Sequence, residues 1–350
     1  MQRIFPKADF KKLIEEKHAG RYKETDFFKP ISIAIQGNNY CSFGKCAACG
    51  ISSTFKKSES LQLPKEVILD LLKQAQENGI FLFYTNFTGE ITDDLDFFGE
   101  MLKKNPKMDA HKINTNCEKF TSIEKSVEIM RKLKELGWTN TNYITPILVL
   151  SIGTQQPQIP LTNIINGLKA FKQVFSENEA YIMISHYFTT KLYQNTLEEF
   201  KELYKKEFGC ELDEKILKSD PITRFGRAKN FPKDHFEEKL LSEFVSNIDC
   251  FKYWYEKYVC PDIYVHRDYS IFTCPLFEPH KALQIGNAKN DSLKKAIENA
   301  NNNKFLRAIS EKGTIGIYEM LKDKHPELKE IKVTNRHEAC KILSEYFKEN

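Results

Sequence analysis

Three cysteines, Cys41, Cys46 and Cys49, fall within nine residues in the segment Cys41-Ser42-Phe43-Gly44-Lys45-Cys46-Ala47-Ala48-Cys49-Gly50. A lone buried cysteine behaves as a small hydrophobe and needs no neighbour of its own kind, so thiols at this density point to a metal or a metal–sulfur cluster. Thiolates are soft ligands that select zinc, cuprous copper or iron–sulfur clusters. A structural zinc site takes four protein ligands, commonly as two paired halves, and no second C-x-x-C or H-x-x-x-H half occurs in the chain. Three close ligands with no local fourth suit a four-iron, four-sulfur cluster that leaves one iron open to an exogenous ligand. A non-catalytic zinc knuckle is the alternative from another class.

The elements around this loop alternate. Ile31–Gly37 reads as a buried strand, followed after the cysteines by a helix over Lys65–Asn78 in which Val67, Ile68, Leu71, Leu72 and Ala75 share one face. Strand Ile80–Asn86, helix Asp93–Lys104, strand His111–Asn116 and a helix capped by Ser122 come next. Strand Ile147–Ile152, helix Leu161–Phe175, strand Tyr181–His186 and helix Leu197–Phe208 complete the alternation, and a sixth short strand is expected within Asp220–Pro232. Such a β/α series demands a mostly parallel sheet with helical crossovers, and reactive groups of such folds collect at the carboxyl ends of the strands. The cysteines follow the first strand, Thr88-Gly89-Glu90 the second, Asn114–Asn116 close the third and Ser151-Ile152-Gly153 the fourth. Beyond Pro232 the spacing predicts a helix over Asp234–Tyr258, a hairpin from Ile263 to Cys274, helices over Ser292–Asn302 and Phe305–Lys312, and a polar tail to Asn350.

These motifs resemble those of the radical S-adenosylmethionine (SAM) superfamily. Its usual C-x3-C-x2-C appears here as C-x4-C-x2-C, with Ala48 where most members have an aromatic residue. Its G-G-E-like motif is matched by Thr88-Gly89-Glu90, with Thr in place of the first Gly, and its T-N-G-like turn by Thr115-Asn116-Cys117. Ser151 stands where a polar residue commonly meets the SAM ribose. The resemblance implies a partial (β/α)6 barrel over 31–232, after an N-terminal extension over 1–30. It also implies that Cys41, Cys46 and Cys49 bind a 4Fe-4S cluster, and that Thr88, Gly89, Glu90, Asn116 and Ser151 bind SAM. The implied activity is reductive cleavage of SAM and hydrogen abstraction by the 5′-deoxyadenosyl radical, with an electron donor such as flavodoxin or ferredoxin.

Residues 233–350 resemble the SPASM/twitch extension of many relatives, whose hairpin reads C…G-x4-C. Here Cys260 and Cys274 flank it and Tyr269 stands at the Gly position. An auxiliary 4Fe-4S cluster on Cys260, Cys274 and Cys340, with Cys250 as a further candidate, stands against a cluster-free hairpin packed on its own thiols. Arg224 and Arg227 resemble a G-R-A element that could hold an acidic group of substrate or SAM, with a surface salt bridge as the other reading. Cys117 and Cys210 read as inert thiols. His186 reads as a hydrogen-bonded strand-end histidine. Glu90 has a second reading as a helix cap, since acids favour helix N-termini.

The substrate classes are a ribosomally made peptide, as in many SPASM/twitch relatives, or a small molecule such as a sugar, nucleoside or amino acid. Only about thirty residues precede the first strand, which is short for a leader-peptide-binding domain. A net charge of +4, from 52 basic and 48 acidic residues, gives no support for a nucleic-acid partner such as tRNA. No signal peptide and no apolar run of about 18 residues is present, so no membrane span is expected. Nine cysteines, an odd number, fit a cytoplasmic protein with reduced thiols.

Overall fold

The computed structural model describes residues 5–7, 9–47, 49, 52–84, 89–153, 158–222, 226–245, 262–273, 281 and 283–348. Helix α1 (Phe10–His18) precedes a β/α series: β1 (Ser32–Ile35), α2 (Lys65–Glu77), β2 (Leu82–Tyr84), α3 (Leu95–Lys104), β3 (Asp109–Thr115), α4 (Ile123–Glu135) and β4 (Ile147–Ile152). The series continues through α5 (Leu161–Val174), β5 (Tyr181–Phe188), α6 (Gln194–Phe208) and β6 (Leu217–Pro221). Strands β7 (Asp262–Val265), β8 (Ser270–Phe272) and β9 (Gln284–Asn287) follow, then helices α7 (Leu293–Asn302), α8 (Lys304–Leu321) and α9 (Arg336–Lys348).

The helices form where the sequence places apolar stripes and caps. Ile68, Leu71, Leu72 and Ala75 bury one face of α2, and the Ser122 hydroxyl accepts the Lys125 N–H at 3.3 Å to start α4. Strands β1, β2 and most of β4 are buried on both faces, as helix-covered parallel strands must be.

One nine-stranded sheet runs β9-β8-β7-β1-β2-β3-β4-β5-β6. All pairings from β7 to β6 are parallel, and β8 and β9 return antiparallel. The chain is therefore α/β with a mostly parallel sheet. Six strands at about 4.8 Å spacing would hold β1 and β6 about 24 Å apart if flat. Yet the turn after β6 touches the loop after β1: the Arg227 N–H donates to the Cys49 carbonyl at 3.1 Å. That contact requires the sheet to curl into a partial barrel. At the opposite rim, Phe10 and Ile14 of α1 pack on Ile31, Phe81, Leu82 and Ile144, which lie at the amino ends of the strands.

Two expectations are corrected. Over 234–245 there is no long helix; a turn at Lys233–His235, a strand at Lys239–Leu240 and a helical turn at Leu241–Phe244 stand there, and 246–258 lie outside the described residues. Lys239–Leu240 pairs antiparallel with Lys332–Val333, which takes backbone groups a helix would have used. The C-terminal segment is not a polar tail either. Ala339, Leu343 and Ser344 recur at helical spacing on α9 and are buried, so amphipathic packing orders it.

Candidate active site at the cysteine loop

The loop after β1 is pinned by its own return. The Cys41 N–H donates to Thr54 O at 2.9 Å and the Thr54 N–H to Asn39 O at 2.8 Å. Gly44 has φ +56, and a Cβ there would stand 2.5 Å from the Phe55 backbone nitrogen. The left-handed turn at Gly44 is what lets the loop pass this close to its own returning strand.

Gly89 joins the second strand end to the first. Its N–H donates to Tyr40 O at 2.8 Å. A Cβ on Gly89 would meet Cys41 Cβ and Tyr40 O at 2.6 Å and Ser53 Oγ at 2.7 Å, so only glycine lets the two segments touch. Glu90, 1% exposed, accepts at Oε2 from the Asn116 N–H at 2.8 Å. At Oε1 it accepts from the Thr92 N–H at 3.3 Å and hydroxyl at 2.9 Å. Burial pushes its carboxyl upward, opposed by these hydrogen bonds and one from the Thr115 side chain. Glu90 thus caps the helical turn Ile91–Asp93 and at the same time ties the third strand end to the second.

Asn116 completes the cradle. Its Nδ2 donates to Cys41 Sγ at 3.7 Å, within sulfur hydrogen-bond range, and its Oδ1 accepts from the Glu118 N–H at 2.9 Å. Ser42 adds two ties, its N–H to Asp93 Oδ2 and its Oγ to Glu118 Oε2, both at 2.8 Å. Lys119 then bridges Asp93 Oδ1 at 2.7 Å. Asp93, Glu118 and Lys119 were not singled out from sequence, because nothing in their spacing says that they will face a loop some fifty to seventy-five residues earlier.

Ser151 is half-buried at the end of β4, where its backbone reaches the Cys117 thiol. Cys117 is fully buried, which pushes its thiol well up. His186 engages both ring nitrogens, Nδ1 with Ser219 Oγ and Nε2 with Tyr193 O, each at 2.8 Å, so it is a structural strand-end histidine. Cys340 lies on α9, packed against the main core, and Cys210 is exposed. Thr88, Cys260, Cys274, Cys250, Ala48 and Arg224 lie outside the described residues.

The thiols themselves are placed among donors. Cys41 is 4% exposed in a small apolar cluster with Phe43 and Ile159, against which Cys46 packs. Burial pushes the Cys41 thiol up to about 12, opposed by the backbone N–H groups of Gly44 and Phe43 that point at it. Cys49 Sγ accepts the Ser53 N–H at 3.3 Å and lies 3.4 Å from Ser53 Oγ. Donors aimed at sulfur stabilise thiolate and reduced iron–sulfur charge alike. Among the described residues no three His, Cys, Asp or Glu side chains converge closely enough to hold a single metal ion. A cluster that takes one thiolate per iron sets no such requirement on its thiols.

No protein-family model and no curated protein matches the chain. Solved structures that resemble it include native anSMEcpe with bound AdoMet, at TM-score 0.49 and 14% identity over 91% of this chain and 98% of that one. Native anSMEcpe with bound AdoMet and Kp18Cys peptide gives TM-score 0.46 and 13% identity over 80% and 83%. The FeFe-hydrogenase maturase HydG from Carboxydothermus hydrogenoformans gives 0.41 and 14% over 91% and 78%. Among the described residues no helix is long and apolar enough to cross a membrane.

Proposed function

We propose that this chain is a radical SAM enzyme in which Cys41, Cys46 and Cys49 hold a 4Fe-4S cluster and the cradle of Gly89, Glu90 and Asn116 receives the methionyl end of SAM. The observation that carries this is the meeting of three strand ends at one cysteine: Gly89 packs on Cys41 Cβ and the Tyr40 carbonyl, Asn116 reaches the Cys41 sulfur, and Glu90 links the two. When bound, the cluster would supply the electron that splits the sulfur–carbon bond of SAM. The chain's own part is positional. Gly89 brings the second strand end into van der Waals range of the loop, and Ser42 fixes the loop to Asp93 and Glu118. The apolar cluster of Cys41, Phe43 and Ile159 excludes water from the first thiol. Hydrogen abstraction from a peptide or small-molecule substrate would follow at the same mouth.

Anaerobic iron and sulfide analysis tests the proposal. About four irons or more per chain are expected, lost in the combined Cys41→Ala, Cys46→Ala, Cys49→Ala variant, with reductive formation of 5′-deoxyadenosine from SAM. Stoichiometric zinc without iron would end it in favour of a zinc module. About eight irons would place an auxiliary cluster in the C-terminal part. For Glu90→Ala we expect weakened SAM binding; unchanged affinity would leave Glu90 with its capping role alone.

A further inference from the structure

Two side chains on the returning arm of the cysteine loop stand out in solvent. Phe55 is 51% exposed and Leu61 57%, the two most exposed large apolar side chains among the described residues. One exposed hydrophobic residue is ordinary, whereas two on one short arm among charges of one sign mark a contact surface. Asn39 holds them together: its carbonyl accepts the Thr54 N–H at 2.8 Å, its Oδ1 accepts the Leu61 N–H at 2.9 Å, and its own N–H donates to Leu61 O at 3.3 Å. The helical turn Lys57–Glu59 lies between them.

The charge on this arm is positive. Residues 45–61 carry Lys45, Lys56 and Lys57 against one acid, Glu59, and all three lysines are exposed. Lys45 Nζ stands 5.7 Å from the centre of the Phe55 ring and Lys57 Nζ 5.3 Å from that of Tyr40, so both charges rest on aromatic faces. Lys56 pairs with Glu59 at 2.7 Å, and both side chains are more than half exposed, which makes the pair weak.

The same arm touches the thiols. The Ser53 N–H donates to Cys49 Sγ at 3.3 Å, and Thr54 O accepts the Cys41 N–H at 2.9 Å. From the exposed Phe55 ring to the Cys49 sulfur, the route is therefore the backbone of Thr54 and Ser53 and one hydrogen bond.

We propose that Phe55 and Leu61, with Lys45, Lys56 and Lys57, form the docking surface for a small acidic protein that carries a one-electron centre. The proposal rests on the function proposed above in one respect, that the thiols hold a cluster to be reduced: the reduced carrier loses one electron and the cluster gains it, with no atom or proton exchanged. Opposite charge steers the encounter, and the apolar pair gives a brief contact its dry centre, which suits weak electron-transfer interfaces of less than about 1,200 Å². A lipid surface or a nucleic acid would meet the same lysines, but only a protein carrier makes use of the route from Phe55 to Cys49.

Biolayer interferometry of the full chain against flavodoxin, an acidic carrier, tests the surface, with the basic carrier cytochrome c as control. We expect flavodoxin affinity to fall about tenfold in the combined Lys45→Glu, Lys56→Glu, Lys57→Glu variant and about threefold or more in the combined Phe55→Ser, Leu61→Ser variant. Raising sodium chloride from about 50 to about 300 mM should weaken it about fivefold in the wild type. One variant keeps the apolar pair and the other keeps the lysines, so misfolding of either leaves the other to decide. In the iron-loaded chain, formation of 5′-deoxyadenosine driven by reduced flavodoxin should fall with the affinity, whereas dithionite, which needs no docking, should give the same rate in wild type and variants. Equal flavodoxin affinity in wild type and variants, preference for cytochrome c, or binding of phosphatidylglycerol vesicles or tRNA in place of flavodoxin overturns the proposal. SAM cleavage with dithionite but no flavodoxin binding through these residues would keep the enzyme and discard the surface. A chain that bound no iron yet bound flavodoxin through them would keep the surface and discard the radical enzyme.

Discussion

Gly89 is the residue on which the site's geometry turns, because three atoms of the cysteine loop stand where its Cβ would be. Gly89→Ala must push Cys41, Tyr40 or Ser53 away, an overpacking of about 1–3 kcal/mol concentrated on the loop. We expect reconstituted iron per chain to fall by more than about half while far-UV circular dichroism stays unchanged, because the strain is local. Retention of full iron in this variant would mean that the loop yields freely. Two other turns carry a left-handed backbone at a non-glycine residue, Cys117 after β3 at φ 65 and Tyr269 after β7 at φ 70. Each costs about 1–2 kcal/mol that a glycine would not.

At the scale of elements, α1 is held by a buried histidine. His18, 8% exposed, lies 3.2 Å through Nε2 from the Pro30 carbonyl, at the entry to β1. Burial lowers its pKa from 6.5 to about 4, so the folded chain keeps the ring neutral. Between those two values the unfolded chain binds a proton that the folded chain refuses, so stability falls as pH drops through this window and levels off below it. The full loss is about 3 kcal/mol. Chemical denaturation at pH 7, 5.5 and 4.5 should show this decline in the wild type and a flatter profile in His18→Gln; parallel profiles would remove His18 as the cause.

At the scale of the whole molecule, the C-terminal segments are built into the barrel's own sheet and core. Strand β7 extends the parallel row beside β1, and the Gln36 N–H donates to Val265 O at 2.8 Å. Asn301 on α7 binds across 273 residues, accepting the Phe28 N–H at 2.9 Å and donating to Phe28 O at 3.1 Å. Asn301→Ala would remove both of these hydrogen bonds from the buried Phe28 backbone, and we expect a loss of about 2–4 kcal/mol, read from the denaturant midpoint. A change below about 0.5 kcal/mol would show that water or rearrangement satisfies Phe28 instead.

The sequence by itself determined the alternation of strands and helices, the strand ends where the motifs fall, and the crowding of Cys41, Cys46 and Cys49 into one loop, because each is encoded in a short stretch by periodicity, caps and spacing. Periodicity failed over 234–245, where Lys239–Leu240 takes its partner from Lys332–Val333 and no local pattern can announce it. Only the tertiary structure decided that Gly89 and Asn116 converge on Cys41, that Asp93, Glu118 and Lys119 brace the loop, and that Arg227 closes the barrel on Gly44 and Cys49. Those contacts span dozens to nearly two hundred residues and arise from the curl of the sheet, which depends on every strand pairing at once.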